Sequence, residues 1–271
     1  MTRQWLSVSL GRGAFLTWAS REARRASEAW FAPGVLGTGL ALLAWGQAAG
    51  SWASSLPGPS RLPGERAATA QLPRLLGDFS AAAWASWENT THLPWDPKNR
   101  YTRLDTAEGP VVRVDSQGAA SMLLKQITHD AQREPIVSWR WRIAAPLVGG
   151  DETSKERDDC AARVYFLWGL RTRADLFTAT GVGYVWGQGR RAGQIGPSPY
   201  TGQIGVITLR SGSQGAGEWQ TERRDLEADY RACHKRPPPG PVTAIAILTD
   251  TDQTKVAATA WYSAIYAAPR R

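Results

Sequence analysis

Three stretches of the chain alternate side-chain character with the period of a β-strand: residues 137–143 (VSWRWRI), 159–168 (DCAARVYFLW) and 244–252 (AIAILTDTD). In the first, Val137, Trp139 and Trp141 fall on one face and Arg140 and Arg142 on the other. In the second, Ala162, Val164 and Phe166 oppose Asp159, Arg163 and Tyr165, and Cys160 keeps register with the apolar set. Arginine at mid-strand beside tryptophan and tyrosine predicts a sheet with one apolar face and one face suited to binding.

The same reading predicts strands over 101–104, 111–114, 121–127, 136–143, 160–168, 181–186, 204–209, 218–226, 242–249 and 257–266. Turn-forming clusters separate them, such as Glu108-Gly109-Pro110, Gly149-Gly150-Asp151 and Gly196-Pro197-Ser198-Pro199. One short helix is expected at 227–233, where Leu226, Tyr230 and Cys233 fall at helical spacing before Pro237-Pro238-Pro239. Short strands at regular spacing with a single helix predict an all-β fold, an antiparallel two-sheet β-sandwich of jelly-roll-like type.

The N-terminal quarter differs. Residues 29–60 carry no charge, residues 35–49 (VLGTGLALLAWGQAA) are apolar, and Arg21, Arg24 and Arg25 precede them. Basic residues, an apolar run and then small residues are the layout of a secretory signal, with cleavage near 50–53. The rival is an uncleaved membrane anchor with the domain facing the periplasm, although Pro33, Gly37 and Gly39 weaken the run as a spanning helix. The expected organisation is therefore a signal peptide or signal-anchor over 1–53, a Pro/Gly/Ser-rich linker over 54–74 and one sandwich domain over 75–271. The expected location is periplasmic or secreted, with membrane contact only through the N-terminal segment if it stays uncleaved.

Composition changes this picture little. An apolar content of 42% in 271 residues supports a packed core. The net charge of +8 comes from 27 arginines against 5 lysines, and the pairs Arg190/Arg191, Arg223/Arg224 and Arg270/Arg271 are scattered. Nucleic-acid binders cluster such charge on one face, so no nucleic-acid partner is expected.

Several residue groups carry candidate chemistry. Arginine forks match carboxylates and aromatic rings stack on sugar faces, so Arg140, Arg142, Asp159, Arg163, Tyr165 and Trp186 are the expected ligand-binding set, for an acidic or neutral saccharide. A lattice of cross-strand ion pairs explains the same charges. Asp250 and Asp252 end an apolar strand, where they could hold Ca²⁺ with help from Asp158 or Asp159; Asx and Thr turns account for them more cheaply. No other cofactor is expected. Asp159 with Asp250 is the one carboxylate pair available for a polysaccharide hydrolase or lyase, so binding is favoured over catalysis, and an envelope scaffold binding protein partners is the third reading.

Other motifs weigh against chemistry. Residues 187–192 (GQGRRA) match a dinucleotide fingerprint, but Gly193 to Pro197 cannot open the helix that phosphates require. The histidines, His92, His129 and His234, lack metal-ligand spacing. Cys160 and Cys233 can close a disulfide in an oxidising compartment, and a buried free thiol fits equally well. Trp95 and Trp186 are the tryptophans expected near a ligand.

In order along the chain, Trp139-Arg140-Trp141-Arg142, residues 158–165 (DDCAARVY), Tyr184-Val185-Trp186, Trp219 with Glu222 and Arg223, Asp229-Tyr230, and residues 249–254 (TDTDQT) together resemble the bacterial domain-of-unknown-function family 3047. The similarity runs from about Phe79 to Tyr266. The resemblance implies an exported bacterial β-sandwich protein and brings no activity and no functional residues with it.

Overall fold

Alternating side chains demand two environments, and in the computed structural model, which describes residues 72–271, the strands find them in two stacked sheets. The expectations for residues 1–53, and for all of the linker but residues 72–74, lie outside the described residues. The strands are β1 (Arg74–Gly77), β2 (Glu88–Thr90), β3 (Arg100–Thr106), β4 (Gly109–Ser116) and β5 (Met122–His129). There follow β6 (Ile136–Ile143), β7 (Cys160–Trp168), β8 (Thr180–Gly187), β9 (Ile195–Pro197) and β10 (Ile204–Ser211). The last are β11 (Gln220–Asp225), β12 (Val242–Asp250), β13 (Ala258–Ser263) and β14 (Ile265–Ala268). A four-residue helix, α1 (Ala81–Trp84), precedes β2, and α2 (Leu226–His234) follows β11.

The first sheet runs β3, β4, β13, β6, β11, with β14 continuing β13 along β6 and β1 pairing β14. The second sheet runs β2, β5, β12, β7, β8, β10, β9. The protein is a two-sheet β-sandwich of jelly-roll-like type, as its alternation predicts. All pairs are antiparallel except β8 with β10, because residues 188–203 carry the chain back along β8 before β10 begins.

The core lies where the inward faces meet. Trp139 and Trp141 of β6 pack on Phe166, Tyr184 and Trp186 of the second sheet, with ring centroids 5.2–6.3 Å apart. A buried indole or phenol usually finds a partner for its polar tip: Trp141 Nε1 donates to Glu222 (2.9 Å) and Tyr184 Oη donates to Asp229 (2.8 Å), whereas Trp139 Nε1 has none. Asp225 caps α2 by accepting from the Ala228 N–H, and Lys235 ends it in a left-handed conformation.

One register break matters for everything outside the core. Arg163 pairs with Leu248 and Cys160 with Asp250, so Ala161 and Ala162 together face the single residue Thr249. This β-bulge inverts the alternation at the start of β7. Both alanines enter the core, and Cys160 turns to the outer face, where its Sγ accepts from Arg163 Nε at 3.0 Å. The sequence places Cys160 on the apolar core face; the bulge is why it is not there.

The end of β5 buries His129 completely, with Nδ1 accepting from Arg74 Nη2 at 2.5 Å. A proton on this ring would sit in a desolvated site beside a guanidinium, and burial with Arg74 lowers its pKa from 6.5 to about 4. A base whose folded-state pKa is lowered contributes stability that is present above the unfolded value and lost as pH falls through the folded one. Stability measured by urea unfolding is therefore expected to fall by at most about 3 kcal/mol between pH 6.5 and 4, and a His129→Gln variant to lose that slope. A slope unchanged in the variant would assign the acid sensitivity elsewhere.

Candidate functional site

The outward residues of the second sheet form the floor of a cleft of about 630 Å³, in the range of small-molecule sites. Met122 of β5, Leu248 of β12 and Arg163, Tyr165 and Leu167 of β7 make the floor. Tyr165 can lie flat across β8 because its cross-strand neighbour is Gly183, where a Cβ would come within 2.8 Å of the ring. Walls rise from three loops: His92, Leu93 and Asp96 after β2; Leu176 and Phe177 before β8; Ser198, Tyr200 and Thr201 before β10. Phe177 is 64% exposed, with its ring tilted against that of His92 at a centroid distance of 6.2 Å. Tyr200 is anchored instead, donating to the Lys155 carbonyl and accepting from Gln253 Nε2.

One end of the cleft is strongly acidic. Arg163, 4% exposed, spends its donors inside the protein: Nη2 on Asp158 Oδ1 (2.9 Å) and the Asp158 carbonyl (3.1 Å), Nη1 on the Tyr165 hydroxyl (2.9 Å). Burial pushes the Asp158 carboxyl up, against the pull of this guanidinium. Beyond it Asp159, Asp250 and Asp252 bring one oxygen each to within 4.8 Å of one another. Burial raises the Asp250 carboxyl well above its ordinary range, the adjacent carboxylates Asp252, Asp159 and Asp158 add to this, and Arg163 opposes it. Asp252 is raised too, by burial and then by Asp159. Asp159 is held from behind, accepting from the backbone N–H groups of Gln253 (3.2 Å) and Thr254 (2.6 Å).

The residues expected to bind together are divided by this architecture. Arg163 and Tyr165 line one end of the cleft with Asp250 and Asp252, and Asp159 stands just outside the lining, with one oxygen within 4.8 Å of theirs. Arg140 and Arg142 belong to β6 in the first sheet, so they project from the opposite side of the sandwich. There Arg142 lies 4.0 Å over the Trp261 ring, and Arg140 pairs with Glu108 at 2.6 Å. Face parity is as the alternation predicts, but the three arginines share no wall, because alternation assigns faces without assigning sheets. Trp186 is 1% exposed and packs in the core, with Nε1 donating to the Gly212 carbonyl at 3.1 Å. Trp95 is 77% exposed on the loop whose neighbours Leu93 and Asp96 line the cleft. Cys160 and Cys233 are both free thiols, the second packed over Gly205. Sequence reasoning missed Phe177, Leu176 and Tyr200; the available signal was an apolar pair after a capping Asp175 in an otherwise polar turn.

A family model described as protein of unknown function, DUF3047, matches residues 85–266. The chain belongs to DUF3047. The match runs from just before β2 into β14, so every strand but β1, and every wall of the cleft, falls within it or begins in it. Among solved structures, this DUF3047 domain is similar to the xyloglucanase domain of NopAA, a type three effector from Sinorhizobium fredii, in complex with cellobiose, at 10% identity and a TM-score of 0.39. That likeness covers 68% of this chain and 93% of the other. It is also similar to a family 30 carbohydrate-binding module (12% identity, TM-score 0.35, 74% and 86% covered). A third is a carbohydrate-binding module with specific mannan recognition (7% identity, TM-score 0.35, 74% and 98% covered). No curated protein matches this DUF3047 chain.

Proposed function

We propose that the cleft on the second sheet binds a neutral saccharide, or a similar polyhydroxylated ligand, without transforming it. The observation that carries this reading is the exposed Phe177 ring on the rim of a cleft of about 630 Å³ that also holds the Tyr165 and Tyr200 rings. Aromatic faces meet the C–H faces of a sugar, and a few polar groups around them fix its orientation. Those groups are mainly acceptors: Asp96, Asp158, Asp250 and Asp252 line the cleft against the single cation Arg163. Hydroxyl donors suit them and anionic sugars do not, which narrows the expectation from acidic or neutral saccharides to neutral ones.

Hydrolysis by Asp159 and Asp250 fits less well. Asp159 does not line the cleft, and both its oxygens accept backbone N–H groups.

Calorimetric titration of the full chain with a panel of neutral oligosaccharides is the test, alongside an assay for new reducing ends. Binding without cleavage is expected, and Phe177→Ala, at an exposed site where removal costs little stability, should weaken it about tenfold, or about 1.4 kcal/mol. Equal affinity in this variant would move the site off the cleft, and release of new ends would make the protein an enzyme.

A further inference from the structure

Buried polar atoms in folded proteins are almost always paired. Asp250 is 7% exposed, yet its Oδ1 has no hydrogen-bond partner. Asp252 Oδ1 and Gln253 Oε1, two and three residues on, are buried and unpartnered as well. All three residues line the cleft, and the oxygens of Asp250 and Asp252 converge with one from Asp159 within 4.8 Å. Four carboxylates crowd this corner, counting Asp158. Arg163, which faces Asp250, is already committed to Asp158, so these carboxyl oxygens draw no hydrogen bond from it.

We propose that Asp159, Asp250 and Asp252, with Gln253 Oε1, form a binding site for one calcium ion at the acidic end of the cleft. An all-oxygen donor set selects a hard cation and disfavours zinc, which takes nitrogen and sulfur. Three carboxylates and an amide oxygen supply about four of the six to eight ligands calcium takes, and magnesium, which keeps most of its water, has little use for so many. The two backbone N–H groups on Asp159 orient that carboxylate from outside, as outer partners orient metal ligands. The bulge at Ala161 and Ala162 makes the convergence possible, because it shifts the start of β7 against the end of β12. The remaining coordination positions face the cleft. This site stands whether or not the cleft takes a saccharide.

The test titrates EDTA-stripped full-length protein with calcium chloride by calorimetry, follows melting with and without calcium, and repeats both with magnesium chloride. One ion per chain is expected, with a Kd at or below about 1 mM and a higher Tm in calcium. Asp250→Asn and Asp252→Asn should each weaken calcium binding at least about tenfold while melting no earlier than wild type in EDTA, since each removes one of several repelling charges. No heat and no change in Tm for wild type at about 10 mM calcium would overturn the site, as would full-strength binding by both asparagine variants or a preference for magnesium. Should the variants fail to fold, the wild-type titration and its selectivity over magnesium decide alone.

Discussion

Replacing Arg163 by alanine is expected to cost about 3–5 kcal/mol of folding stability, the cost of leaving a buried partner charge without its mate. Arg163 and Asp158 are each 4% exposed at the side chain and meet at 2.9 Å. The guanidinium also carries the Tyr165 hydroxyl and the Cys160 thiol, and it lowers the burden of the adjacent Asp250. Its loss strands Asp158 in a site that already disfavours negative charge. The double variant Arg163→Met with Asp158→Leu should recover most of the loss, because a buried ion pair replaced by apolar volume is often neutral. Urea unfolding of the two variants settles the matter: a single-variant loss below about 1 kcal/mol would mean water reaches Asp158 and the pair is not the floor's anchor. Arg163→Ala is consequently a poor probe of ligand binding, since lost affinity would follow from a damaged floor, whereas Phe177 can be removed without touching it.

The contrast between Arg163 and Arg140 shows what a strand pattern can carry. Both alternate against apolar neighbours, and both do point away from the core. Which sheet each strand joins depends on pairing across long sequence separations: β6 finds β11, β13 and β14, while β7 finds β8 and β12. No local spacing encodes that choice, so the outward faces were legible and their division between the two sides of the sandwich was not. The bulge is a second limit of the same kind. Asp159 was expected beside Arg163 by strict alternation, and it reaches Asp250 and Asp252 because one extra residue breaks the alternation. Trp186 misleads for another reason: its glycine-rich neighbours suggest an open loop, whereas those residues close around a buried carboxylate.

That carboxylate belongs to Glu152, and Glu152→Ala is expected to destabilise the protein by about 4 kcal/mol, since charge-assisted hydrogen bonds at a buried group contribute about 1.5–3 kcal/mol each and the freed N–H groups partly regain water. Fully buried, Glu152 accepts from the backbone N–H groups of Gln188 (2.9 Å), Gly189 (2.8 Å) and Arg190 (3.0 Å) and from the Thr208 hydroxyl (2.9 Å). The loop that resembles a dinucleotide fingerprint is thus an anion nest, and the chain's own side chain fills it. Glycine is required at 187 for the close approach, because a Cβ there would come within 2.4 Å of the Glu152 carboxylate oxygens. Burial raises this carboxyl, but the N–H groups of Gly189 and Gln188 and the Thr208 hydroxyl outweigh burial and hold it below its ordinary value. A carboxyl lowered on folding contributes stability that is present above its unfolded pKa and lost as pH falls through the folded one. Glu152→Ala should therefore flatten the acid limb of the stability curve as well as lower the plateau. Added acetate, which supplies the missing group to an emptied nest, should raise the variant's Tm and leave wild type unchanged; equal response of the two proteins to acetate would mean that the loop collapses rather than standing open as a built anion site.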